Sequence, residues 1–319
     1  MFSCSLAILV ALAPCVALRP AAVPVRLPVR TRPVAASALP HALATSGWLA
    51  LPTCWAIATV PVSLGFIRQG YVFSLGYGLA AAAVGGAVLG ATPPATAVRL
   101  HAALVTAYGV RLFAFLLWRQ AGQDAGYGWK IAALDKVPRP KRAPIVVSTA
   151  LFYALMTSPL LWHLQSASAL GASHITTAGC AVAAAGLLVE AVADLQKSLF
   201  KISLRASGAA DRPYTGGLYS RWRHANYAGE VLFWFGSTLA GLPALAAPGL
   251  SVASRAGRLV TSALGLFGIC FIMLSATARL ERKQAANAAT LWPVLLADGE
   301  LDSFSKYRER SGELLPKLF

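Results

Sequence analysis

Two pairs of polar residues stand inside apolar sequence at a spacing of four: Asn226 with Glu230, and Glu190 with Asp194. On a helix each pair shares one face. A carboxylate inside a membrane span is costly unless a partner or a cavity receives it, so such acids mark functional sites by default. Lys197 and Lys201 continue the face of Glu190 and Asp194. A plainer explanation is an interfacial salt-bridge ladder, Asp194 with Lys197, that ends the helix. Between the two acid pairs lies a loop of cations, Lys201, Arg205, Arg212, Arg221 and Arg223. It suits the phosphates of a dinucleotide or the headgroups of anionic lipids, and charge alone does not separate the two. His224 suits a proton donor or a phosphate partner, or a structural side chain.

Other chemistries find no pattern. There is no GxGxxG or phosphate-loop sequence, so a nucleotide would be held by a helical bundle and not by a Rossmann sheet. The five cysteines, Cys4, Cys15, Cys54, Cys180 and Cys270, show no paired spacing, which argues against a disulfide or metal framework. His101, His163 and His174 fall near helix ends with no companion ligands, so no metal is expected.

The elements that must position these residues are membrane helices. Of 319 residues, 57% are hydrophobic and 13% are charged, against about 25% charged in soluble domains. A span needs about 20 apolar residues. The apolar runs predict an all-α polytopic bundle of about seven transmembrane helices, near 47–67, 71–91, 97–118, 144–165, 173–195, 228–249 and 258–278. The net charge of +16 does not point to nucleic acid. Most of its Lys and Arg fall between the apolar runs, in the segments that follow odd-numbered helices, which places those segments and the C-terminus on the cytosolic-equivalent side. Trp48, Trp118 and Trp162 read as interface anchors. The end of the tail, Leu314 to Pro316, reads as packing against the membrane.

Residues 1–18 form a short apolar run with small residues at its end, and 19–40 are basic, Ala- and Pro-rich and free of acid. This reads as a targeting presequence over 1–40, either a signal plus a plastid transit segment or a plain signal peptide. Residues 41–319 then form the transmembrane domain, in a plastid or endoplasmic reticulum membrane.

Three ordered segments resemble the steroid 5α-reductase C-terminal domain superfamily. They are DLQK at 194–197, GLYSRWRHANYAGEVLFWFG at 217–236 and YRERSGELLPKLF at 307–319. The likeness is strongest to the family's uncharacterised branch of bacteria, algae and plants, related to the 3-oxo-5α-steroid 4-dehydrogenases. It spans about residues 100–319, with the core from 185. The common Pro of the central motif is Ala225 here.

The resemblance implies a seven-helix bundle that binds NADPH and reduces a carbon–carbon double bond conjugated to a carbonyl, in a sterol or another lipid. By the same resemblance the cofactor-binding residues are Glu190, Asp194, Lys201, Asn226, Glu230, Arg279 and Lys283. Lys197, Tyr219, Arg221, Arg223, His224 and Tyr227 join them from within or beside the motifs. Family members hold the substrate carbonyl with a Tyr and a Glu from the N-terminal half, yet this chain has no Glu before Glu190. Tyr108 and Tyr127 are the candidate catalytic donors. The expected partners are a lipid or sterol-like substrate and membrane lipids. A lipid or isoprenylcysteine-type methyltransferase using S-adenosylmethionine is the alternative enzyme, and a non-catalytic membrane scaffold is a further alternative.

Overall fold

The structure is a computed structural model that describes residues 50–92, 96–123, 125–167, 173–209, 212–287, 292, 294–295 and 301–317. These all fall in the unit Leu39–Phe319. The expected presequence, the anchor Trp48 and the side chain of Tyr127 lie outside what is described.

Helix α1, Leu51–Val62, opens with Pro52 in its first turn, where a missing N–H costs nothing, and passes into a 3-10 turn at Ser63–Phe66. Helix α2, Leu75–Ala91, is built of Gly, Ala and small apolar residues. Helix α3, Ala97–Trp118, starts at Thr96, whose side chain accepts the Arg99 N–H. A short amphipathic helix, α4 (Ala125–Ala132), precedes α5, Ala143–Gln165. Helices α6 (His174–Ala206), α7 (Ala225–Gly241) and α8 (Val252–Ala286) complete the bundle. Past it lie an antiparallel pair of two-residue strands, β1 (Val294–Leu295) and β2 (Leu301–Asp302), and helix α9, Phe304–Arg310.

The described residues thus form an all-α polytopic membrane bundle. Five helical stretches are long and apolar enough to cross a membrane, and α1 and α2 are shorter apolar helices. The expected count of seven exceeds those five by these two. The expected sixth helix shifts towards the N-terminus, from 228–249 to Ala225–Gly241. The fifth runs well past the expected residue 195, to Ala206. Lys201 and Arg205 therefore stand on α6 and not in a loop.

Apolar lipid offers no hydrophobic drive for helices to associate, so close packing must supply the attraction. Helices α6 and α7 meet in this way. A Cβ added at Gly186 would lie 2.4 Å from the Phe233 backbone nitrogen, and one at Gly229 would lie 2.6 Å from that of Glu190. The two backbones touch, and the contact sets Glu190 beside the helix that carries Glu230. Helices α2 and α3 are joined similarly, since a Cβ at Gly109 would lie 2.5 Å from the Gly78 carbonyl oxygen.

The tail runs beside residues 221–224: the Arg223 and His224 amides donate to the Gly312 and Glu313 carbonyls, and the Gly312 amide donates to the Arg221 carbonyl. Leu315 is exposed.

Candidate functional site

A cavity of about 810 Å³ opens among α2, α3, α4, α5, α6, α7 and α8. Its deep part is apolar, with Leu112, Phe115, Phe152, Ile269 and Met273, and its mouth is cationic, with Arg119, Lys130, Lys197, Lys201, Arg205 and Lys283. All six cations belong to segments at one end of the bundle, the end expected from the charge pattern to face the cytosolic-equivalent side. Phe73 and Ile272 line the cavity and are themselves exposed.

Tyr77 of α2 is the polar centre of the inner wall. Its hydroxyl donates to Glu230 Oε1 at 2.9 Å and accepts from Trp234 Nε1 at 2.6 Å. The Tyr108 hydroxyl lies 3.0 Å away. Because the Tyr77 proton is committed to Glu230, Tyr108 is the donor in that contact, and both lone pairs of the Tyr77 oxygen are then used. Tyr153 stacks on Tyr77 at 4.9 Å and donates to the Val72 carbonyl. Tyr108, the expected catalytic donor, is fully buried against Phe233 and stands behind Tyr77, whereas Tyr77 and Tyr153 line the cavity.

The acid pair of α6 is held by a residue that its spacing does not reveal. Arg111 of α3 donates from Nη1 to Glu190 Oε1 at 2.7 Å and from Nη2 to Asp194 Oδ2 at 2.6 Å. Arg111 is the cation on Asp194 in this structure. Lys197 sits instead over the Tyr219 ring, 5.7 Å from its centroid. Glu190, Asp194, Lys197, Asn226 and Tyr227 all line the cavity. The second carboxylate oxygen of Glu190 is buried without a hydrogen-bond partner.

The turn before α7 is a scaffold for Asn226. Gly217 has φ +54°, and a Cβ there would collide with the Gln196 side chain. Gln196 in turn accepts the Leu218 N–H. The turn buries Tyr219, whose hydroxyl donates to Asn226 Oδ1 at 3.3 Å. Burial holds the Tyr219 phenol above its ordinary pKa, so it remains a neutral donor.

Arg223 and His224 are placed differently from the other expected residues. Both are buried, and both meet Glu281 Oε1, at 2.9 and 2.8 Å. Arg223 also pairs with Glu313 and donates to the Ser311 carbonyl. These contacts clamp the tail and α8 to the motif turn. Arg221 and Arg279 are exposed and do not line the large cavity. Lys283 does.

Outside the cavity, His101 Nδ1 lies 3.3 Å from His163 Nδ1, and its Nε2 lies 2.8 Å from Ser237 Oγ. These buried groups satisfy one another inside the bundle. Among the described residues no group of three or more His, Cys, Asp or Glu can hold a metal. Cys54, Cys180 and Cys270 are free thiols.

A family described as a protein of unknown function, DUF1295, matches residues 72–289. The chain belongs to this family. The matched stretch contains every residue that lines the large cavity, so the cavity is a feature of the DUF1295 region and not of the tail. The chain is also 27% identical over 164 residues to the probable O-methyltransferase ustE of Ustilaginoidea virens. That match covers 49% of this chain and 56% of the relative, so the chain spans little more than half of that protein's length. No solved structure matches.

Proposed function

We propose that the chain is a membrane-embedded reductase of a carbon–carbon double bond conjugated to a carbonyl in a lipid, with NADPH as the reductant. The observation that carries this reading is the Tyr77 hydroxyl, braced by Trp234, Tyr108 and Glu230 on the wall of a cavity whose mouth is cationic. Family membership and the enzyme name of one relative agree with a lipid-modifying enzyme of the membrane. The resemblance to steroid 5α-reductases narrows it to reduction.

The residues present fit the cofactor. Six cations at the mouth match a ligand with several phosphates, and the orphan oxygen of Glu190 is an acceptor for an amide or hydroxyl. When bound, the cofactor supplies a hydride to the β-carbon of the enone. Charge then develops on the carbonyl oxygen, and a fixed donor aimed at it lowers the barrier. Tyr77 is that donor. Trp234 and Tyr108 fill its oxygen's lone pairs, which fixes the hydroxyl and strengthens it as an acid. Glu230 is the acceptor that orients the hydroxyl before the substrate carbonyl takes its place. Asn226 and Asp194 orient the polar part of the cofactor, and the apolar depth takes the lipid and excludes water. Phe73 and Ile272, which are at once lining and exposed, give a lipid a way in from the bilayer side.

The test is turnover of a bilayer-soluble enone by the purified protein with NADPH. Tyr77→Phe is expected to lose activity by about 10²–10³-fold, as loss of an oxyanion donor does, with cofactor affinity kept. Unchanged turnover in Tyr77→Phe removes the mechanism.

A second reading draws on the printed name of the relative. In an O-methyltransferase, Glu230 would act as general base towards a lipid hydroxyl, with S-adenosylmethionine as donor. That donor carries no phosphate and leaves the cations at the mouth without a role, so the reductase is preferred.

A further inference from the structure

Beside the large cavity lies an annex of about 180 Å³ that shares Lys197, Lys201, Leu280 and Lys283 with it. The rest of its wall includes Arg212, Tyr214 and Gln284. No acidic residue lines it among the described residues, while Arg223 and His224 on its edge are already answered by Glu281. Two polar atoms in this wall are buried with no partner: Arg212 Nε, a donor, and Gln284 Oε1, an acceptor. Leaving such groups unpaired is costly, more so for a charged one, so their coincidence in one cation-lined recess suits a ligand that answers both. Lys201 holds the segment that carries Arg212, donating from Nζ to its carbonyl at 2.7 Å, so the recess is braced.

We propose that the annex is a binding subsite for a phosphate monoester carried on a hydroxylated ring. The phosphate accepts from Arg212 Nε and lies among Lys197, Lys201 and Lys283, and a ring hydroxyl donates to Gln284 Oε1. A monoester suits the site better than a diester because its second charge meets several cations. Under the reductase reading, on which this identification rests, the group is the 2′-phosphate of NADPH, and Arg212 sets the choice of NADPH over NADH. A phosphatidic-acid headgroup offers the same phosphate chemistry from the lipid side.

The two sources are separated by titrating the full-length protein in phosphatidylcholine nanodiscs with NADPH, NADH and phosphatidic acid. NADPH is expected to bind about tenfold or more tightly than NADH, the worth of one charge-assisted contact. Arg212→Gln is expected to erase that ratio by weakening NADPH alone, and Gln284→Leu to weaken NADPH in the same sense. Retained NADH binding then shows that the variants are folded. An Arg212→Gln protein that loses both nucleotides equally, or neither, overturns the proposal. If the wild type binds neither nucleotide, the reductase reading falls, and phosphatidic acid decides the annex: binding that depends on Arg212 supports a monoester site fed by lipid, and no such dependence overturns it.

Discussion

Tyr77 has three polar neighbours, and its single proton goes to one of them, Glu230. This directionality makes it the donor of choice at the cavity wall and leaves Tyr108 a supporting role. Arg111 is the second residue on which the site depends, because it bridges Glu190 and Asp194. Arg111→Ala removes the guanidinium that both carboxyl groups share. Breaking such a pair is expected to cost about 3 kcal/mol, read as a lowered midpoint in thermal unfolding in detergent. Arg111→Lys should recover only part of the loss, since an ammonium cannot span both carboxylates with a rigid fork. The acids themselves were legible in the sequence, because Glu and Asp at helical spacing inside apolar runs are rare and costly. Their partners were not. Arg111 lies 79 residues from Glu190, inside an apolar helix with no companion at three or four positions. Tyr77 is one aromatic in a Gly- and Ala-rich helix. No Glu precedes Glu190 in the sequence, and the acid that meets this tyrosine comes from α7. Arg223 and His224 looked like cofactor cations for the converse reason: their partner, Glu281, is more than fifty residues away.

Helices α6 and α7 position the acids through a backbone contact that admits no side chain. Gly186→Val is expected to force them apart, at about 1–3 kcal/mol for overpacking, and to weaken cofactor binding as Glu190 and Glu230 separate. Thermal unfolding and a binding titration of one preparation read both effects. At the same end of the bundle, Asp135 ties two connections together. It accepts from Arg68 at 2.9 Å and from the Gln69 amide at 2.6 Å, and pairs with Arg142 at 3.3 Å. The hydrogen bond from Arg68, then that from the Gln69 amide, holds its carboxyl below the ordinary value. A carboxylate with a lowered folded-state pKa adds stability above its unfolded value and loses it as the pH falls through the folded one. The wild type should therefore lose stability on acidification, and Asp135→Asn should be less stable near neutrality and lose less in acid. Equal pH dependence of the two proteins contradicts this latch. Helices α2, α3 and α5 were placed by hydropathy to within a few residues, whereas the end of α7 and both ends of α8 were missed by six to eight residues. The end of α6 was missed too, because Lys197, Lys201 and Arg205 interrupt the apolar run without interrupting the helix: they line the cavity.

At the scale of the whole molecule, the charge pattern expected to orient the bundle also supplies the site, since six cations of those basic segments line the cavity. The tail closes this end. Glu281 on α8 gathers Arg223 and His224, and the Tyr307 hydroxyl donates to the Tyr219 carbonyl at 2.6 Å. Glu281→Ala is expected to release the tail, seen as faster proteolysis after residue 287, and to weaken cofactor binding by unsettling the turn that carries Tyr219 and Asn226. Unchanged proteolysis would show that the backbone bonds between 221–224 and the tail suffice. The most direct test of the account is equilibrium binding of NADPH and of S-adenosylmethionine to the purified protein in nanodiscs. NADPH is expected to bind with micromolar or tighter affinity and S-adenosylmethionine not to compete with it. Binding of S-adenosylmethionine with none of NADPH would contradict the reductase reading.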